Sequence, residues 1–226
     1  MFAGTTAVAQ RIATPAHGLS RRSLLGLAMV AMAPLGRPAS AESALAEPTA
    51  TIKQFNAALL AVMKSGERTD FSQRFQMLAP AVDQAFDLPA VLAVSVGSGW
   101  VTLSSDQQSR LLGAFRRYTV ASYVANFNSY AGQTLNVAPD ARNLDAGRVI
   151  VSSRIVPLKG DATELDYVMK QTSVGWKIVD VLAAGSISRV AVQRSDFRHL
   201  LSNGGGEALL ASLQRKAADL SGGALA

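Results

Sequence analysis

Two carboxylates and one histidine are the residues whose chemistry first asks for a reading. Asp166 and Asp180 fall on neighbouring predicted strands, a placement that suits an acid/base pair. A lone buried carboxylate would also serve as the base of an isomerase acting on a steroid-like ligand. Against this, Asp166 shares a polar face with Glu164 and Lys170. Asp180 is odder, because Trp176, Ile178 and Leu182 share its parity. Hydrogen bonding to nearby backbone, or to the start of the next helix, is the simpler account of it. Beyond residue 41 the sole histidine is His199, beside Phe197 and Leu200. A Ser–His–Asp hydrolase would have to recruit it, yet no G-x-S-x-G elbow accompanies it. No second ligand type clusters with it to hold zinc, so neither a metal nor a cofactor is expected. Gly204, Gly205 and Gly206 follow no strand and precede no Lys-Ser/Thr, and read as a flexible interhelical turn rather than a phosphate cradle.

The elements that must position these groups change period part-way along the chain. From Thr49 to Met63, Ile52, Phe55, Leu59 and Val62 recur at helical spacing. Asp70 and Gln73 make a capping-box-like start for a helix bearing Phe71, Phe75 and Leu78, and Pro80 is expected to open a further segment. Leu88 to Val96 reads as a short helix. The clearest helix starts at Ser104, again with Gln at the third position. Leu111, Phe115, Tyr118 and Ser122 fall on one line of it, flanked by Leu112, Thr119, Tyr123 and Asn126, with Arg110 and Arg117 on the far side. Beyond Gly132 the period becomes 2. Four strands are expected, at Gln133–Val137, Arg148–Val156, Thr163–Thr172 and Trp176–Leu182, joined by short turns into an antiparallel meander. Helical spacing returns from Val190 to Leu201 and from Glu207 to Leu220. The expected class is α+β, with N-terminal and C-terminal helices packed on a curved four-stranded antiparallel sheet.

The first 41 residues hold Arg11, Arg21, Arg22 and Arg37 but no Asp or Glu. An apolar run from Leu24 to Ala33 and the triplet Ala39-Ser40-Ala41 follow, which is the pattern of a cleaved export signal. At about ten residues the run is too short for the roughly 20 of a membrane span. Ser20-Arg21-Arg22-Ser23-Leu24-Leu25 resembles a twin-arginine export signal. Residues 1–41 are thus expected to be removed, and 42–226 to form one domain. Four of the 22 basic residues and none of the 16 acidic ones lie in the leader, so its loss takes the formal charge from +6 to +2. With no basic block of five or more, nucleic acid is not an expected partner.

Several blocks taken in order carry a family resemblance. They are Phe86-Asp87-Leu88-Pro89, Trp100, Ser105-Asp106-Gln107-Gln108, Phe115-Arg116-Arg117-Tyr118 and Tyr130-x-Gly132-Gln133. Then come Asp166-Tyr167, Gly175-Trp176-Lys177-Ile178-Val179-Asp180, Gly185-x-Ile187-Ser188 and Arg194-Ser195-x-Phe197. Together they resemble the MlaC-like (toluene-tolerance) family of periplasmic phospholipid-binding proteins, auxiliary components of an ABC lipid transport system, from about Ile52 to Leu220. Phe86-Asp87-Leu88-Pro89-Ala90 and Phe115 to Tyr123 are most similar to its hopanoid-biosynthesis-associated branch.

The resemblance implies an apolar lipid pocket between helices and sheet, a phospholipid or hopanoid cargo, and membrane-bound transporter components as partners. On the inward faces of the elements that form the pocket in the family, Phe115, Tyr118, Tyr123, Leu165, Tyr167, Met169, Ile178, Phe197 and Leu201 are the expected lipid-binding residues. Arg116, Arg117, Arg189 and Arg194 are candidates for an anionic head group or a partner, and solvated helix faces explain them equally. Periodicity alone favours an ordinary filled core and cannot distinguish it from a cavity. Two rival readings stand beside the carrier: an isomerase or hydrolase using Asp166, Asp180 or His199, and an interaction module with no cavity.

Overall fold

The computed structural model describes residues 47–66 and 68–226; the proposed export signal, its twin arginines and its cleavage site lie outside them. Three helices come first: α1 (Pro48–Ser65), α2 (Phe71–Ala85) and α3 (Leu88–Val96). Pro48 sits in the first turn of α1, where a missing N–H costs nothing. Asp70 caps α2 by accepting the Gln73 N–H at 2.7 Å, and Asp87 caps α3 by accepting that of Ala90 at 3.1 Å. Pro80 does not start a helix of its own. It lies exposed inside α2, because the apolar stripe Phe75, Leu78, Val82 and Ala85 runs on past it and holds both halves against the core.

A short 3-10 turn (Gly97–Thr102) leads to α4 (Ser105–Asn126). Its capping box is complete: Gln107 N–H donates to the Ser104 hydroxyl at 3.2 Å, and Ser104 N–H donates to Gln107 Oε1 at 3.0 Å. The helix ends at Asn126, well before Gly132.

Among the described residues the sheet has six strands rather than four: β1 (Thr134–Val137), β2 (Arg142–Asn143), β3 (Arg148–Val156), β4 (Thr163–Thr172), β5 (Gly175–Ala183) and β6 (Ile187–Ser188). The two additions are two-residue strands, too short to show a period of 2 in sequence. All pairings are antiparallel, in the order β1-β3-β4-β5-β6, with β2 beside β3. The edge of β5 that β6 leaves uncovered is taken by the α2–α3 junction, where Asp87 N–H donates to the Ile178 carbonyl at 3.0 Å.

Register slips between β4 and β5. Val168 faces Asp180 and Met169 faces Ile178, which leaves Val179 as an extra, bulged residue. The inward positions before the bulge continue through Ile178, and after it through Val181 and Ala183, opposite Tyr167 and Leu165. Asp180 therefore does not share the face of Ile178, and its odd sequence parity follows from the bulge.

The last helix, α5 (Arg189–Leu220), is broken at Gly204 and Gly205, whose backbone angles are not helical. Its two halves are the two helices expected on either side of the glycines. Both pack on the rest through Val190, Phe197, Leu209, Leu213 and Ala217. One contiguous apolar cluster joins helices and sheet, with Phe55 at the centre of edge-on contacts to Phe86 (5.4 Å), Tyr123 (5.1 Å) and Tyr167 (6.4 Å).

Candidate functional site

A cavity of about 530 Å³ lies between α4, the start of α5 and one end of the sheet. That is within the range of small-molecule sites, roughly 300–1,000 Å³. Helix α4 supplies a stripe at helical spacing: Phe115, Tyr118, Thr119, Ser122, Tyr123 and Asn126, continued by Phe127 just past the helix end. Twelve residues at 1.5 Å rise make this wall about 18 Å long. The sheet contributes the cross-strand pairs Ile155–Thr163 and Leu165–Ala183, with Val181 alongside. Met63, Phe86, Leu88 and Val91 close the side towards the first helices, and Arg189, Val190 and Gln193 come from α5. The exposed residues Asn126, Ser129, Thr163 and Arg189 mark the rim.

The expected lipid-binding residues divide between this cavity and the core. Phe115, Tyr118, Tyr123 and Leu165 line the cavity. Tyr167, Met169, Ile178 and Phe197 do not; they are buried in the packed core, at 2 % exposure or less. Leu201 is also away from the wall, half-buried against the core cluster. The division has a simple cause. The cavity meets the sheet at its end near the β3–β4 turn, while Tyr167 packs edge-on to Phe55 and Met169 and Ile178 lie in the same buried core cluster. On α5 only the first turn or so faces the cavity, and Phe197 already stacks edge-on against Phe115, at 6.3 Å.

Periodicity did not single out Thr119, Ser122 and Asn126 as wall residues, yet it carried a signal for them. Small and polar residues on the inward face of an otherwise apolar helix cannot fill a core. Where they recur at one turn's spacing, they leave room. Thr119 Oγ1 is buried without a hydrogen-bond partner, as befits a wall that does not close on itself.

Two tyrosines mark the junction of core and cavity. Burial raises the Tyr123 phenol well above its ordinary range, opposed in part by the positive charge of Arg189. Burial, and then the neighbouring Tyr123, raises that of Tyr167. Both rings therefore stay neutral at physiological pH.

The candidate catalytic groups are occupied otherwise. Asp180 reaches the cavity wall, but its Oδ1 accepts the N–H groups of Val181 (2.7 Å) and Val190 (3.1 Å), and its Oδ2 accepts the Ser188 hydroxyl. It thus caps the start of α5 together with Ser188, which in turn accepts the Ala191 N–H at 2.9 Å. Asp166 accepts from Ser152 Oγ at 2.6 Å and from Arg142 at 2.9 Å, away from the wall. His199 is exposed on α5, 3.3 Å from the Asn203 amide. The described residues contain no cluster of three His, Cys, Asp or Glu side chains able to hold a metal. Nor is any described helix long and apolar enough to cross a membrane.

Of the four arginines considered for a head group, Arg116 is bound to Asp83 through two hydrogen bonds, at 2.7 and 2.6 Å. Arg117 is exposed on α4 off the lining, and Arg194 lies against Gly97. Arg189 alone of the four lines the cavity.

Comparison with known proteins turns this geometry into a kinship. Residues 53–215 match the MlaC protein family, a span that takes in most of α1, the whole sheet and most of α5. The chain belongs to the MlaC family. Among solved structures, it is similar to the phospholipid-binding protein from Ralstonia solanacearum, determined in complex with a phospholipid. The two share 22 % identity over 78 % of this chain and 99 % of the other, with a TM-score of 0.68. At that identity the likeness establishes the fold, α+β with helices on an antiparallel sheet. No functionally curated protein matches the chain in sequence. The resemblance blocks all fall within the matched span, and Phe86, Leu88, Phe115, Tyr118, Gln133 and Asp180 among them line the cavity.

Proposed function

We propose that this protein binds a lipid in the α4–sheet cavity and carries it through the periplasm between membrane-bound components of a lipid transporter. The observation that carries the reading is the cavity itself: a largely apolar space about 18 Å along α4 in a chain of the MlaC family. A packed domain does not keep such a volume empty without use, because each unfilled site loses contact energy. Burying acyl surface there would favour binding by about 25 cal/mol per Å². The phospholipid held by the Ralstonia solanacearum protein of the same fold supports a phospholipid as the cargo, and the apolar wall with its exposed polar rim suits a tail inside and a head group at the rim. Hopanoid, the cargo suggested by the branch resemblance, is the competing occupant of the same apolar wall.

Residues 1–41 fit this reading as an export signal, and the remainder as one carrier domain. Binding without catalysis fits as well: Asp166 and Asp180 are spent on Ser, Arg and backbone partners, and His199 stands in solvent.

Ser122→Trp tests the reading by placing an indole in the space beside Tyr118 and Tyr123. The variant is expected to keep the wild-type circular dichroism and thermal midpoint while losing uptake of a fluorescent phospholipid from vesicles. Undiminished uptake in the folded variant would place the lipid elsewhere.

A further inference from the structure

We infer that Arg189 is the head-group anchor of the cavity and makes it selective for lipids bearing an anionic oxygen group, a phosphodiester or a carboxylate. This deepens the lipid-binding reading and rests on it. Arg189 lines the cavity with an exposed side chain at the first position of α5. It makes no salt bridge or side-chain hydrogen bond to any described residue, in contrast with Arg110, Arg116, Arg142, Arg148 and Arg154. The nearest candidate to neutralise it along the wall, Asp180, has its oxygens turned onto Ser188 and the backbone of Val181 and Val190.

The charge is also felt at the wall. Arg189 is close enough to Tyr123 to act electrostatically on its phenol, and Tyr123 is a wall residue whose hydroxyl has no hydrogen-bond partner among the described residues. A guanidinium offers a fork of donors matched to two oxygens of a phosphate or carboxylate, and a neutral phenol adds one more. A ligand whose tail runs along the α4 stripe would set its head group here, at the rim. A neutral lipid of the same tail volume would fill the cavity and leave the guanidinium with water.

The test compares three ligands with matched acyl chains: phosphatidylglycerol, free fatty acid and diacylglycerol, each titrated against wild type, Arg189→Gln and Arg189→Lys. Arg189→Gln is expected to weaken binding of the anionic ligands by about tenfold or more, as for loss of a charged hydrogen bond, and to leave diacylglycerol unchanged. Arg189→Lys should restore part of the loss, and added salt should weaken the wild type towards the Gln variant. A loss confined to phosphatidylglycerol assigns the site to phosphodiesters; one confined to fatty acid assigns it to carboxylates. Equal losses on diacylglycerol and phosphatidylglycerol, or no loss on any ligand, would overturn the anchor while sparing the lipid reading. A wild type that takes up none of the three would overturn the lipid reading, and the anchor with it.

Discussion

Tyr123 belongs to two environments at once. One edge of its ring packs on Phe55 in the core, at 5.1 Å, and the residue also forms part of the cavity wall beside Arg189. Tyr167 lies deeper, at 1 % exposure, edge-on to Phe55 at 6.4 Å. Burial raises both phenol pKa values, so ionisation is easier in the unfolded chain than in the folded one. The stability gained from keeping them neutral is complete below the ordinary tyrosine pKa of about 10, and is lost as pH rises above it. Urea midpoints should therefore fall steeply above about pH 10, and Tyr167→Phe should flatten that fall without a comparable loss of midpoint at neutral pH. An unaltered alkaline fall in the variant would remove Tyr167 from this account. At the same scale, Asp180 shows how a suggestive carboxylate resolves into a structural one. Its sequence context offered both an acid/base role and a helix start, and the three groups it accepts from favour the second.

At the scale of elements, the helices were the most legible part of the chain. Ser104 with Gln107, and Asp70 with Gln73, announced helix starts that the backbone adopts, because caps act over three residues and need no distant partner. Two features were not legible for the opposite reason. The bulge at Val179 depends on the pairing of β5 with β4, and moves Asp180, Val181 and Ala183 to the faces opposite to those a strict alternation assigns. The uninterrupted run through Pro80 depends on the packing of α2, which outweighs the local preference of a proline for a helix start. Of the site, period alone showed which face of α4 turns inward, but not that Thr119, Ser122 and Asn126 on it wall a cavity. Which stretch of β4 and β5 faces empty space was not readable, because filled and unfilled positions carry equally apolar residues: Leu165 lines the cavity, and Met169 four residues on does not. The break in α5 gives a direct check on backbone conformation. Gly205 has φ of +63° and ψ of −157°, a region essentially confined to glycine, and no atom within 4 Å of where a Cβ would stand, so Gly205→Ala should cost about 1–3 kcal/mol through the backbone alone. Denaturant unfolding would measure it; a neutral or stabilising change would mean that the halves of α5 do not need this turn.

At the scale of the molecule, charge, cavity and family point the same way. Loss of the first 41 residues would remove most of the positive charge and leave a nearly neutral domain, with Arg189 as the cationic side chain in the cavity lining. The cavity lining runs from Met63 in α1 to Gln193 in α5, so the MlaC match over residues 53–215 takes in every lining residue. The most direct measurement is lipid extraction from the protein purified without detergent after expression with its own leader, followed by mass spectrometry. One phospholipid or hopanoid per protein, absent from Ser122→Trp prepared in parallel, is the predicted result. A wild-type protein that carries no lipid and takes up none from vesicles would contradict it.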